Sequence, residues 1–215
     1  MRELLCDSVF FGVMISLLAY EAGVWLKNKF KLAVFNPLLI SIAAVIAVLF
    51  IFHIDYGSYF SGAKYLSYLL TPATVCLAVP LYEQLELLKS NWKAITAGIV
   101  SGVLTSLLCV LALSFLFGFN HVQYVTLLPK SVTTAIGIGV SEELGGVVTI
   151  TAAVIIITGV LGNIIAEGVC RLFRIQEPVA RGIGIGSASH AIGTAKALEM
   201  GEVEGAMSGL SIAVS

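Results

Sequence analysis

Three stretches of this chain, 32–54, 94–129 and 144–166, pass without a single Asp, Glu, Lys or Arg. An α-helix needs about 20 apolar residues to cross a hydrocarbon layer roughly 30 Å thick, and 32–54, 94–118 and 144–166 meet that length. Lipid offers no partner to a backbone N–H or C=O, so a crossing segment must satisfy its own polar groups, and a helix does so within one segment. Charged residues make up only 12% of the chain and hydrophobic ones 58%, against about a quarter charged in soluble domains. The expected fold is an all-α, polytopic membrane protein forming a single membrane domain over 1–215.

Shorter runs complete the expected topology of about seven helices plus a re-entrant hairpin. The run 8–20 reaches Trp25 across Glu21, 65–82 is just long enough, and 205–215 stops short, as though inside a further helix. Two segments, 126–141 and 182–199, are rich in Gly, Ser and Thr and carry a Lys. That composition suits broken helices.

Several function classes are disfavoured. A net charge of −1 gives no basic patch for nucleic acid. Cys6, Cys76, Cys109 and Cys170 show no Cys-x-x-Cys spacing and fall in or beside apolar runs, and there are three histidines. The cysteines read as packing residues, and no metal or cofactor is expected. Glu3 and Asp7 spoil a basic n-region, so the N-terminal stretch reads as a retained helix. No His-Glu-x-x-His, Gly-x-Ser-x-Gly or P-loop is present, and adjacent Ser189 and His190 on a helix point about 100° apart. The chain is expected not to be an enzyme.

A spaced similarity predicts an internal repeat. Thr74 and Glu83, like His190 and Glu199, stand nine residues apart in small-residue apolar runs, followed by Gly98/Ser101/Gly102 and Gly205/Ser208/Gly209. Repeat halves at 33–118 and 126–215, each with an interrupted helix, are the frame of a secondary transporter. Cations cluster at Lys27, Lys29 and Lys31, at Lys89 and Lys93, and at Arg171, Arg174 and Arg181. The positive-inside rule puts those three loops in the cytoplasm. For the helix over 149–170 to end inside, 126–146 must enter and leave on the outer side, with Glu142 and Glu143 near its exit. The segment 65–82 is then expected to run inward and 183–198 outward, as an inverted pair.

The candidate site residues follow from the breaks. Pro129 marks a helix start beside Lys130, and Ser131, Thr133 and Thr134 add hydroxyls to the free N–H groups there, a combination that suits an anion. Gly182, Gly184 and Gly186 permit unwound backbone ahead of a helix capped by Ser187 or Ser189, with His190, Gly193 and Thr194 following. Thr74 is the counterpart of His190 in the first half. His190, Glu83, Glu199 and Lys196 are candidates for proton coupling, since a histidine titrates near neutrality, with Glu142 and Glu143 in reserve. Each has a structural alternative: Lys130 and Lys196 as snorkelling side chains, His190 as a packed histidine, Glu83 and Glu199 as interfacial helix ends, and the glycines as points of close helix approach.

The segments Asn36-Pro37-Leu38-Leu39-Ile40, Leu70-Thr71-Pro72-Ala73-Thr74-Val75, Leu128-Pro129-Lys130-Ser131-Val132-Thr133-Thr134 and Ala188-Ser189-His190-Ala191-Ile192-Gly193-Thr194-Ala195-Lys196-Ala197-Leu198-Glu199 resemble the LrgB/CidB family of bacterial inner-membrane proteins over nearly the whole chain. Ala135 departs from the family pattern, in which Pro often follows the paired threonines. The resemblance implies one of two functions. One is carriage of small monocarboxylates of the pyruvate, lactate, glycolate or glycerate type, as in the similar domain of the plant chloroplast glycolate/glycerate translocator. The other is a holin/antiholin role, modulating murein hydrolase export and autolysis with a small LrgA/CidA-type membrane partner. A multi-pass inner-membrane location and a homo-oligomer are expected. Intramembrane Lys130, His190 and Lys196 favour the carrier, because each such charge costs about 2.5–3.5 kcal/mol and needs a use.

Overall fold

A computed structural model describes residues 9–30, 35–69, 72, 75, 76 and 78–214. The described residues are helical, with no strand among them. Three helices, Phe10–Phe30, Trp92–Leu116 and Val148–Leu172, are long and apolar enough to cross a membrane, and Pro37–Ile51 is a shorter apolar helix. The chain divides into two compact units, Met1–Cys76 and Leu77–Ser215.

In the first unit, α1 (Val9–Phe30) packs against α2 (Pro37–Ile51) and α3 (Tyr56–Ser67). Asn36 starts α2: its side-chain oxygen accepts from the N–H groups of Leu38 and Leu39, and Pro37 follows with its φ preset for the first turn. Asp55 starts α3 the same way. Two glycines let α1 approach its neighbours, since a Cβ at Gly12 would strike the backbone of Tyr59 and Ala63, and one at Gly23 that of Pro37.

The second unit comprises α4 (Ala78–Glu83), α5 (Leu85–Ser90), α6 (Trp92–Leu116), α7 (His121–Leu127), α8 (Thr134–Glu143), α9 (Val148–Leu172), α10 (Pro178–Met200) and α11 (Glu202–Val214). Its organisation is inverted relative to a soluble protein. Leu104, Leu108, Phe115, Ile150, Ile157 and Leu161 are exposed on α6 and α9, while Ser141, Thr151, Thr194, Ser208 and Ser211 are fully buried. Lipid would accept the first group, and the second must find hydrogen bonds inside.

The segment 126–133 and helix α8 form a hairpin whose base lies at the start of α9. Thr151 Oγ1 on α9 donates to the Thr126 carbonyl at 2.9 Å and shares a 2.6 Å hydrogen bond with Ser141, so both arms are fixed near one end of α9. The turn at 128–133 is the tip of this hairpin. Gly137, one turn into α8, packs on Ile155, deeper along α9. The fold-back falls within the bounds predicted, 126–146, with Thr126 at its base against Gly146, Val147 and Thr151, and α7 precedes it.

Helix α10 corrects a second expectation. His190 has φ 43° and ψ −146°, and the chain reverses there instead of crossing outward over 183–198. In an unbroken helix Arg181 and Met200 would stand about 28 Å apart at 1.5 Å per residue, yet both line one cavity. Gly193 packs against Ile185, and Ala197 shares an apolar cluster with it. Segments 178–189 and 191–200 are thus two antiparallel arms, and α11 then runs back alongside the first. The break also falls later than predicted. Gly182 and Gly186 are helical, and they serve close packing: a Cβ on Gly182 would strike Glu204 and Met207, one on Gly186 would strike Ser208 and Ser211. The inverted pairing of 65–82 with 183–198 no longer follows from parity.

Candidate functional site

The two hairpins enter from opposite ends of α9 and bring their tips to its middle. The first is anchored at Thr151 and reaches Ile155 through Gly137. The second is seated from the other end: Lys196 pairs with Glu167 at 3.5 Å, Asn163 Nδ2 donates to the Ile192 carbonyl at 2.8 Å, and His190 Nε2 bonds the Ile155 carbonyl at 2.9 Å. Gly159 and Gly162 make that seat. A Cβ on Gly162 would fall on Ser189 Oγ and one on Gly159 on the His190 ring. Helix α6 traverses the same depth: Ile95 and Ile99 share a core with Val179 and Ile183, Gly102 faces Ser187, and one turn on Ser106 meets Lys130.

At the first tip, Lys130 Nζ donates to Ser131 Oγ at 2.8 Å and to Ser106 Oγ at 3.2 Å, and the two hydroxyls share a 3.1 Å bond. Among the described residues no carboxylate lies within ion-pair distance of Lys130. Thr133 occupies the position before α8 in extended backbone, and its side chain does not cap the helix. The helix starts at Thr134 and not at Pro129 as expected, so its first N–H groups, the unsatisfied, positive end, follow Lys130 by four residues. Helix α8 forms there with Ala135 in its first turn.

At the second tip, Ser189 and His190 are buried, 4% and 2% exposed. A carbonyl oxygen only accepts, so His190 Nε2 carries the hydrogen in its bond to Ile155. Proton exchange at this imidazole must use Nδ1. The other hydroxyls are engaged locally: Ser187 donates to the Ile183 carbonyl, and Thr194 pairs with Ser208 at 2.7 Å while lying 3.1 Å from the His190 carbonyl. Gly193 provides room for Ser189 and Ile185.

The remaining predicted residues lie elsewhere. Lys196 and Glu199 belong to the base of the second hairpin, where Lys196 bridges Glu167 and Glu199 around an open cavity of about 280 Å³ with Arg171 and Arg181 on its walls. Arg181 in turn reaches buried Glu204 at 3.7 Å. Glu83 is exposed at the end of α4, and Glu142 and Glu143 are exposed at the base of the first hairpin. Thr74 lies outside the described residues. Sequence reasoning passed over Ser106, Gly159, Gly162 and Asn163. Asn163 had a signal, as an amide in the otherwise apolar run 144–166; the glycines had none, because only their neighbours reveal the notch.

Long apolar helices, an interior of hydroxyl pairs and two interrupted helices meeting halfway along α9 define a multi-pass membrane protein with a polar centre. The chain belongs to the LrgB-like family, whose model matches residues 16–215. It is 39% identical over 200 residues to the holin-like protein CidB of Staphylococcus aureus (strain Mu50 / ATCC 700699), covering 93% of this chain and 87% of the relative. It is 34% identical over 206 residues to the antiholin-like protein LrgB of Bacillus cereus (strain B4264), covering 95% and 90%. No solved structure matches the chain.

Proposed function

We propose that this protein is a secondary carrier of small monocarboxylates in the bacterial inner membrane, binding its substrate between the two hairpin tips. The observation that carries this reading is Lys130, a cation halfway along the membrane-crossing helices whose described hydrogen-bond partners are hydroxyls. A charge at that depth costs about 2.5–3.5 kcal/mol, and a substrate carboxylate is the counter-ion that offsets it. Ser131, Thr133, Thr134 and the first N–H groups of α8 would complete the carboxylate's hydrogen bonds. Ser187, Ser189, His190, Gly193 and Thr194 shape the opposite wall, where a 2-hydroxy or 2-oxo group would lie. Of the proton-coupling candidates His190 stands closest to this centre, whereas Lys196 and Glu199 are committed to ion pairs. The test is saturable uptake of labelled pyruvate, lactate or glycolate into proteoliposomes. Lys130→Met should abolish it, and Lys130→Arg should keep a fraction, since the guanidinium is charged but larger. Full uptake by the Met variant at normal abundance would return Lys130 to a snorkelling role.

A second reading is favoured by the relatives' names, holin-like and antiholin-like. In it, the chain works with a small LrgA/CidA-type membrane partner to modulate murein hydrolase export. Release of large dyes from vesicles bearing the protein, without saturable carboxylate uptake, would support this reading over the carrier. The relatives' names weigh toward lysis control, and the charge geometry toward a carrier.

A further inference from the structure

The two hairpins also resemble each other in sequence at one constant spacing. Adding 56 to the residue number carries Ser131 onto Ser187, Ala135-Ile136-Gly137 onto Ala191-Ile192-Gly193, Glu143 onto Glu199, Gly145 onto Gly201 and Val147 onto Val203, with Thr133 facing Ser189 and Leu144 facing Met200. The fold keeps the same register. Both matched stretches begin at a tip, continue as a short helix over 134–143 or 191–200, turn at Gly145 or Gly201 and fold back on the next helix. A buried hydroxyl pair closes each fold-back, Ser141 with Thr151 in one case and Thr194 with Ser208 in the other, at positions that the shift of 56 does not superpose. The spacing differs from that of Thr74–Glu83 and His190–Glu199, and both copies lie within the half expected at 126–215.

We infer that 126–158 and 182–214 are inverted copies of one unit, arm, tip, arm and following helix, and that each hairpin is the gate to the shared centre from its own face of the membrane. The inference rests on the carrier reading and gives it its two gates. Opposite entry supports it, since the first hairpin is based at the Thr151 end of α9 and the second at the Arg171 end. So does the pairing of the tips, where Thr133 and Ser189 occupy equivalent places.

The test places single reporter cysteines at Thr133 and, separately, at Ser189 in a cysteine-free background, and reads their reaction with an impermeant maleimide applied to each face of oriented vesicles. The expected result is that both reporters label from both faces. A disulfide between Ser141→Cys and Thr151→Cys should then remove labelling from the face of the first hairpin's base at both reporters, at least tenfold, and leave the other face reactive. Reduction should restore reporter labelling from that face, read above the labelling of the reduced Ser141→Cys/Thr151→Cys protein that carries no reporter. If each reporter labels only from the face of its own hairpin's base in the unlocked protein, or if the lock leaves both faces equally reactive, the paired gates are wrong. Neither readout uses a substrate. Loss of carboxylate uptake with intact two-faced labelling would overturn the substrate and spare the gates, and the converse would do the reverse.

Discussion

At His190 the backbone adopts φ 43°, a conformation that costs a non-glycine residue about 1–3 kcal/mol. The imidazole's bond to the Ile155 carbonyl returns about 0.5–1.5 kcal/mol, less than or comparable to the strain. Both His190→Gly and His190→Ala leave the cavity of a buried imidazole, but only glycine relieves the strain, so His190→Ala should be the less stable of the two in a thermal-shift assay. His190→Gln should flatten the pH dependence of uptake if Nδ1 exchanges the coupled proton; an unchanged pH profile would make the residue structural. Gly162 offers a cleaner test of packing. A Cβ there overlaps both side-chain atoms of Ser189, so Gly162→Ala should destabilise by about 1–3 kcal/mol through overpacking. Adding Ser189→Gly should recover most of the loss in a thermal-shift assay. Failure of that rescue would mean the hairpin does not seat on Gly162.

The hairpins differ in how they are held, and the difference sets what each would tolerate. The first is tied to α9 by a buried knot of Thr126, Ser141 and Thr151. The second is tied to α11 by Thr194 and Ser208, both fully buried, and to α9 by the Asn163 and His190 hydrogen bonds near its tip and by ion pairs facing an open cavity at its base. Removing one member of a buried hydroxyl pair leaves the other unsatisfied at about 1–3 kcal/mol, while partly exposed ion pairs contribute about 0–1 kcal/mol. Thr194→Val should accordingly lower stability more than Lys196→Met. Combining Thr194→Val with Ser208→Ala should recover part of the loss, a coupling a double-mutant cycle would measure. Equal losses for Thr194→Val and Lys196→Met would contradict this division between buried pair and open ion cluster.

For the molecule as a whole, the second unit gathers its loop cations at one end, with Lys130 apart at its centre. Ile95 near the start of α6 packs with Val179, so Lys93 and the Arg171, Arg174 and Arg181 group share that end, while Asn120, Glu142 and Glu143 lie at the other. The positive-inside rule assigns the basic end to the cytoplasm. Because α10 doubles back, single cysteines at Ser90, Gln176 and Glu202 should all label from the cytoplasmic face, and cysteines at Asn120 and Leu144 from the outer one. Labelling of Glu202→Cys from the outer face would mean that α10 crosses after all. The spans over 94–118 and 144–166, the basic loops and the hairpin after α6 were legible in the amino-acid sequence, because length, charge and a Pro-marked break are local properties, whereas the span expected over 32–54 is the shorter helix Pro37–Ile51, which Asn36 and Pro37 start late. Lys130 was legible too, as a cation beside that break. The reversal at His190 was not: Ser187 to Glu199 reads as one helix, and its glycines as an unwound entry. Only the tertiary structure decides that those glycines pack helically on α11, that Gly159 and Gly162 open a notch for the second tip, and that Lys196 leaves the centre for Glu167. Each depends on residues distant in the chain meeting at one depth, and helix propensity carries no record of which small residue a neighbour will press against.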